Sequence, residues 1–262
     1  MPKTKIEWCD YTINPVKGLC PMACSYCYAR RMYKRFNWNP EIRYNPKVML
    51  ESATLPGGSR VFVGSTMELF GKHIKDAWLK DTFYIAKRCP WITFIFLTKQ
   101  PQNLIKFSPF PENCWVGVSC PDANALYYAI PWLDEIKASR KFISFEPLLA
   151  SMWGDCLSLA VTIVQWLIIG ACTGTKDEVA SLCSQYPGIG WQHLKGNKFV
   201  AMPRIEWIRE IVEAADRAGT PVFLKDNLKP LLVTYKDGGE YAPLWANGGY
   251  GTLRQELPSL RG

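Results

Sequence analysis

Cys20, Cys24 and Cys27 fall within eight residues, in the run Cys-Pro-Met-Ala-Cys-Ser-Tyr-Cys. Thiolates bind soft metals, and three in a short Pro- and Ser-containing loop suit metal chemistry better than the packing of buried thiols. Structural zinc takes four ligands, usually as two pairs. This chain offers one tight triple and only two histidines, His73 and His193, with no spacing that completes a zinc site. Iron–sulfur clusters are held by thiolates in loops of this kind. If each cysteine takes one iron of a four-iron cubane, the last iron stays open to a small chelating molecule.

Such a loop needs a frame, and the chain supplies a regular one. Short apolar runs recur at residues 60–65 (Arg-Val-Phe-Val-Gly-Ser), 91–99, 114–119, 141–146, 166–170 and 221–225, with a first strand around Tyr11 to Val16. Their near-continuous apolarity suits strands buried on both faces, as in a parallel sheet. Helices are predicted between them, over 72–87, 122–138 and 203–218, the last starting at Pro203. Alternation of this kind specifies βαβ units, in an open doubly wound sheet or a barrel. The strands end in polar or small residues: Ser65 and Thr66, Thr98 and Lys99, Ser119, Glu146, Gly170, Lys225. Ligands of parallel α/β folds sit at the carboxyl ends of the strands, so these residues read as the rim of a site, which the cysteine loop joins.

Composition bounds the rest. With 262 residues, 48% of them hydrophobic, the chain can bury a large core. No apolar run approaches the roughly 20 residues of a membrane span. The start, Met-Pro-Lys-Thr-Lys-Ile-Glu-Trp, lacks the apolar core of a signal peptide, which predicts a cytoplasmic protein. In that compartment ten cysteines read as metal ligands and buried thiols rather than disulfides. The formal net charge is +8, and Arg30, Arg31, Lys34 and Arg35 cluster just after the cysteine loop. Such a cluster reads as a phosphate-contacting helix or as a solvated helix face.

Three residues between the first two cysteines, two between the second pair and an aromatic just before the third resemble the signature of the radical S-adenosylmethionine (SAM) superfamily. Cys20, Cys24, Tyr26 and Cys27 match it position by position. The wider sequence, from Ile-Glu-Trp-Cys-Asp-Tyr-Thr through Val-Phe-Val-Gly-Ser, Phe-Leu-Thr-Lys, Trp-Val-Gly-Val-Ser, Phe-Ile-Ser-Phe-Glu-Pro-Leu and Leu-Ile-Ile-Gly, resembles a phage-associated family of radical SAM-like proteins without a settled activity. The likeness runs from residue 5 to about 226 and departs in two places. Cys9 stands where that family commonly has Thr, and Gly170-Ala-Cys-Thr where it has Gly-Gly-Glu-Ser.

The resemblance implies an α/β fold: a partial (β/α)6 TIM-like barrel of parallel strands over residues 1–228, with a C-terminal extension at 229–262. It also implies a [4Fe-4S] cluster on Cys20, Cys24 and Cys27, SAM chelated at the open iron, and reductive cleavage of SAM to methionine and a 5′-deoxyadenosyl radical. A flavodoxin- or ferredoxin-type protein would donate the electron. By the same likeness Gly64 and Ser65 meet the methionine amino group, Lys99 its carboxylate and Ser119 the ribose, while Tyr26 and the segment ending at Gly170 flank the adenine. Glu146 is assigned to SAM, to substrate, or to a structural pair with Lys99 or Lys225. Cys172 is a candidate hydrogen-atom donor or a packing thiol. Cys89, Cys114, Cys120, Cys156 and Cys183 read as packing thiols, His73 and His193 as structural, and Trp78, Trp132 and Trp207 as core. The Gly-rich tail, from Lys236 and again from Asn247, is expected to be a hairpin or an ordered extension.

For substrate the sequence favours a nucleic acid or nucleotide, from the basic cluster, the net charge and a likeness to radical SAM DNA-lesion repair enzymes. Modification of a small molecule or peptide is the alternative within enzymes. A non-catalytic zinc- or cluster-bearing nucleic-acid-binding protein is the alternative outside them.

Overall fold

The computed structural model describes residues 1–233, 239–246 and 252–259. They form two compact units, one of residues 1–118 and 132–141, the other of 119–131 and 142 onward.

The first unit contains β1 (Tyr11–Ile13), β2 (Val16–Lys17), α1 (Tyr28–Phe36), β3 (Arg43–Tyr44), α2 (Lys47–Leu50), β4 (Arg60–Val63), α3 (Asp76–Lys87), β5 (Thr93–Thr98) and β6 (Cys114–Ser119, as far as Val118). Parallel pairing runs β1-β4-β5-β6, with Ile13 beside Val63, Val63 beside Phe96 and Thr98 beside Val118. Phe94, Ile95, Phe96 and Val116 are fully buried, so both faces of these strands are covered, as their continuous apolarity demands. Helix α3 buries Leu79, Phe83 and Ala86, a spacing that puts them on one stripe. Phe83 meets Phe96, Phe107 and Phe110 at ring-centroid distances of 4.9, 5.8 and 5.4 Å. The antiparallel pair β2–β3 places Val16 opposite Tyr44 and closes residues 18–42 into one excursion. The cysteine loop and α1 are that excursion.

The second unit follows with α4 (Ala123–Glu135, as far as Pro131), β7 (Arg140–Phe145, from Phe142), α5 (Gly154–Ile163), β8 (Trp166–Ile169), β9 (Cys172–Gly174), α6 (Lys176–Gln185), β10 (Gly190–Lys195), β11 (Lys198–Met202), α7 (Ile205–Ala218), β12 (Val222–Leu224) and α8 (Lys229–Val233). β7, β8 and β12 are parallel, Phe145 and Leu224 both lying beside Ile169. Helix α7 buries Ile205, Ile208, Ile211, Val212 and Ala215 and packs on α5. Residues 252–259 run along β12: the Leu224 N–H donates to Arg254 O at 2.8 Å, and the Glu256 N–H to Val222 O at 2.9 Å. The turn-rich tail sequence from Lys236 and from Asn247 lies mostly outside the described residues.

The predicted strands are present with ends that differ by up to two residues, except that the first, expected over 11–16, ends at Ile13, and the helix predicted from 72 starts at Asp76. Trp78, Trp132 and Trp207 are half-buried rather than core, each lying at the margin of an apolar stripe. No sequence pattern announced β9, α6, β10 and β11, which form between β8 and α7. β10 is almost wholly exposed and lacks the apolar alternation that marks a strand. No helix among the described residues is long and apolar enough to cross a membrane.

Candidate metal and cofactor centre

Cys20, Cys24 and Cys27 are free, half-buried thiols on the excursion closed by β2–β3. Ala23 bends the loop with φ 50°, a left-handed value few non-glycine residues adopt. Cys27 is the N-cap of α1, so the third sulfur sits at the positive end of the helix dipole, which favours an anion. Burial pushes the Cys24 thiol up; Lys99 opposes that shift, and Cys27 and Cys20 add to it. Cys24 thus has both other thiols and the Lys99 ammonium within electrostatic reach.

Neighbours outside the loop fix its backbone. Arg30 Nη2 donates to Cys20 O at 3.0 Å, and Gln100 Nε2 to Met22 Sδ at 2.9 Å. The Glu68 N–H points at Cys20 Sγ from 3.5 Å. Among the described residues, no three His, Cys, Asp or Glu side chains gather around one point that would hold a metal ion. A cubane is ligated differently: each thiolate takes a separate iron, so the sulfurs surround a cluster instead of converging on an ion. Three soft donors with a cation and a helix N-terminus beside them fit such an anionic group. They do not fit structural zinc, which takes four ligands.

Glu68 is the residue that sequence reasoning missed. It is 8% exposed, and burial pushes its carboxyl up, with hydrogen bonds from Thr98, Lys99 and Phe70 opposing. Thr98 Oγ1 donates to Oε1 at 2.6 Å, the Phe70 N–H to the same oxygen at 3.1 Å, and the Lys99 N–H to Oε2 at 2.7 Å. The carboxylate thus ties the turn after β4 to the end of β5. A signal was present: one acid inside the apolar run Met67-Glu68-Leu69-Phe70, directly after a strand. Lys99 extends from that anchored backbone, its Nζ 5.3 Å from the centre of the Tyr26 ring.

At the end of β4, Gly64 has φ +84°, and a Cβ there would lie 2.5 Å from Leu69, so only glycine fits this turn. Asn14 Nδ2 donates to Ser65 Oγ at 3.1 Å, its Oδ1 accepts from the Thr66 N–H at 3.1 Å, and Tyr28 Oη donates to Ser65 O. Tyr26, Gly64, Ser65 and Lys99 therefore lie with the cysteines in the first unit. The basic cluster splits. Arg30 turns toward the loop, Arg31 is half-buried, and Lys34 and Arg35 are exposed, with the Arg35 guanidinium 5.3 Å from the Phe36 ring centre.

Ser119, Glu146 and Gly170 belong to the second unit. Lys225 Nζ donates to Glu146 Oε1 in an ion pair whose side chains are 14% and 26% exposed. Glu146 thus meets Lys225, one of the two structural partners the sequence allowed it. Ser119 Oγ lies 3.5 Å from Glu146 O. Gly170 faces the pair closely: a Cβ would come within 3.0 Å of Lys225 Cδ and 3.2 Å of Glu146 Cγ. Asn227 holds the following turn, accepting from the Ala171 N–H at 3.0 Å and donating to Ala171 O at 2.6 Å. Cys172 is half-buried, its Sγ 4.0 Å from Thr173 O.

Residues 3–181 match a family described as protein of unknown function, DUF5131. That is more than half of the chain. The chain belongs to the DUF5131 family. No curated protein matches it. Among solved structures, a cysteine-to-alanine mutant of spore photoproduct lyase with dinucleoside spore photoproduct is similar over 85% of this DUF5131 chain and 78% of its own, at 13% identity and a TM-score of 0.58. A double mutant of the same lyase, with bound AdoMet and dinucleoside spore photoproduct, gives 84%, 77%, 13% and 0.52. A tyrosine-to-phenylalanine mutant gives 84%, 77%, 13% and 0.57. At this identity the likeness establishes the fold: a partial TIM-like barrel of parallel strands.

Proposed function

We propose that this DUF5131 protein is a radical SAM enzyme acting on a nucleic acid or nucleotide. The observation that carries the reading is the cysteine triple of the first unit, held on its own excursion beside a carboxylate-anchored Lys99. Cys20, Cys24 and Cys27 are the residues to hold a [4Fe-4S] cluster, which when bound supplies the electron for reductive cleavage of SAM. Lys99 offers a compact cation to the methionine carboxylate, and Glu68 fixes where that cation starts by clamping the Lys99 N–H. Gly64 lets the backbone after β4 turn closely, so that Ser65 is presented to the amino group. Tyr26, under the Lys99 ammonium, supplies an aromatic face for the adenine. In the second unit we assign Ser119, Gly170 and the Glu146–Lys225 pair to polar contacts with ribose or substrate. The free cysteines suit a reducing cytoplasm, where a flavodoxin- or ferredoxin-type protein would deliver the electron.

The substrate class rests on three supports: a net charge of +8, the exposed Lys34 and Arg35 beside the cysteine loop, and a fold shared with structures that hold a dinucleoside photoproduct. Anaerobic reconstitution followed by incubation with SAM and dithionite tests the chemistry. Release of 5′-deoxyadenosine and methionine is expected, with no release from Cys24→Ala. Tight binding of one zinc per chain, with neither iron nor 5′-deoxyadenosine, would overturn the reading.

A further inference from the structure

The segment between β8 and α7 carries a second feature that the radical chemistry does not use. It leaves the carboxyl end of β8, the side from which parallel α/β folds contact ligands, and builds an antiparallel sheet in the order β10-β11-β9. The family match ends at residue 181, so β10 and β11 lie beyond it. β10 is the outer strand of that sheet. Trp191 and His193, two residues apart, share one face of it, and His193 lies in register with Phe199 on β11. Their rings make a continuous row: Trp191 to Phe199 at 5.7 Å between centroids and His193 to Phe199 at 5.0 Å, both edge-on. Trp191 is 44% exposed and His193 is exposed, whereas Phe199 is half-buried and the core takes Val200, which lies on the opposite face of β11.

The charged residues of the hairpin itself have one sign. Between Glu178 and Glu206 the chain has no acidic residue, but it has Lys195, Lys198 and Arg204. Lys195 and Lys198 flank the hairpin turn and are exposed, and Lys176 Nζ lies 5.7 Å from the centre of the Trp191 ring. The flanking acids in sequence are Glu206 on one side and Asp177 and Glu178 on the other, and Glu178 is occupied in the α6 capping box, accepting from the Thr175 N–H at 2.8 Å. His193 Nε2 donates to Gly196 O at 2.6 Å, which sets the ring across the turn. Two exposed rings and a half-buried one in a row, on a hairpin that carries lysines and no acid of its own, match unpaired bases strung on a phosphate backbone: rings stack on bases, and ammonium groups follow the phosphates.

We propose that the β10–β11 hairpin is a stacking platform for single-stranded nucleic acid, with Trp191, Phe199 and His193 receiving bases and Lys176, Lys195 and Lys198 meeting phosphates. The proposal deepens the nucleic-acid reading above and rests on it, but it assigns binding to a different part of the chain from the basic cluster of α1.

The test is fluorescence anisotropy with a fluorescein-labelled oligothymidylate of about 15 nucleotides, on the full chain, without SAM or reductant. Trp191→Ala is expected to weaken binding about tenfold and Trp191→Phe much less, because a smaller ring still stacks. Lys195→Gln with Lys198→Gln should flatten the slope of log affinity against log salt by about 1.4, two phosphate contacts at about 0.7 each on a single strand. Circular dichroism of each variant checks that the fold persists. Unchanged affinity in Trp191→Ala and an unchanged salt slope in the lysine pair overturn the platform. If Lys34→Gln with Arg35→Gln then abolishes binding, the nucleic-acid reading survives at α1. Absence of binding by the wild type to both the single strand and a duplex of the same length overturns platform and substrate class together. Release of 5′-deoxyadenosine, measured separately, still reports on the radical chemistry.

Discussion

Two strand-end clusters in this chain treat buried charge in opposite ways. In the first unit the carboxylate of Glu68 accepts from a hydroxyl and two backbone N–H groups, all within 3.1 Å. Lys99 contributes its amide to that clamp, and its ammonium extends over Tyr26. In the second unit the carboxylate of Glu146 takes the ammonium of Lys225 directly. The first arrangement stiffens a backbone through neutral donors; the second neutralises two charges against each other. Lys99 and Lys225 both end apolar strands and look equivalent in sequence, yet Lys99 gives its backbone N–H to Glu68 whereas Lys225 gives its ammonium to Glu146.

The comparison can be broken or sharpened by substitution. The largest effect is expected at the thiols. Cys24→Ala should abolish iron incorporation, read as loss of the brown colour and of iron by metal analysis, and Lys225→Met should leave the iron content unchanged. Next comes Glu68→Ala, which strands two buried N–H groups and the Thr98 hydroxyl. We expect a loss of about 3 kcal/mol, measured by urea denaturation of the protein before reconstitution. A loss below about 1 kcal/mol would mean that the clamp is not the anchor described. Lys225→Met should cost less, about 1–2 kcal/mol, because the Glu146 carboxylate left behind is partly solvated. Gly170→Ala then asks whether the pair tolerates crowding. A methyl 3.0 Å from Lys225 Cδ should cost about 1 kcal/mol in the wild type and less in Lys225→Met, a coupling that a double-mutant cycle reads directly.

The smallest effect concerns Asp10, at the other end of the first unit's strands. Burial raises its carboxyl, but hydrogen bonds from the Arg60 side chain and N–H, with the guanidinium charge, outweigh that, and it is held below the usual carboxylate range. A folded-state pKa below the unfolded one adds stability that is complete above about pH 4–5 and is lost as the pH falls through the lowered value. Asp10→Asn should therefore destabilise by less than about 1 kcal/mol at neutral pH and make no difference near pH 2. A difference that persists at pH 2 would assign the effect to packing instead of charge.

Much of the frame was legible in the chain. The strands from residue 60 to 225 announce themselves by continuous apolarity, and a parallel α/β fold follows from their alternation with helices. The hairpin was not legible, since an exposed strand pairs through backbone groups that side-chain pattern does not report. Glu68 was hidden for a related reason. An acid in an apolar run carries a signal, but its partners on Phe70, Thr98 and Lys99 are assembled by the turn after β4 and the end of β5.

The sequence by itself determined the cysteine triple, because ligand spacing within eight residues is a local property of the chain. It likewise determined where strands end in polar groups, because an apolar run must stop before a loop meets water. Only the tertiary structure decided which polar groups are occupied by one another: Glu146 with Lys225 and Glu68 with the end of β5. Pairing energies depend on distance and burial, and residues some 30 to 80 positions apart acquire both only when the sheet has formed.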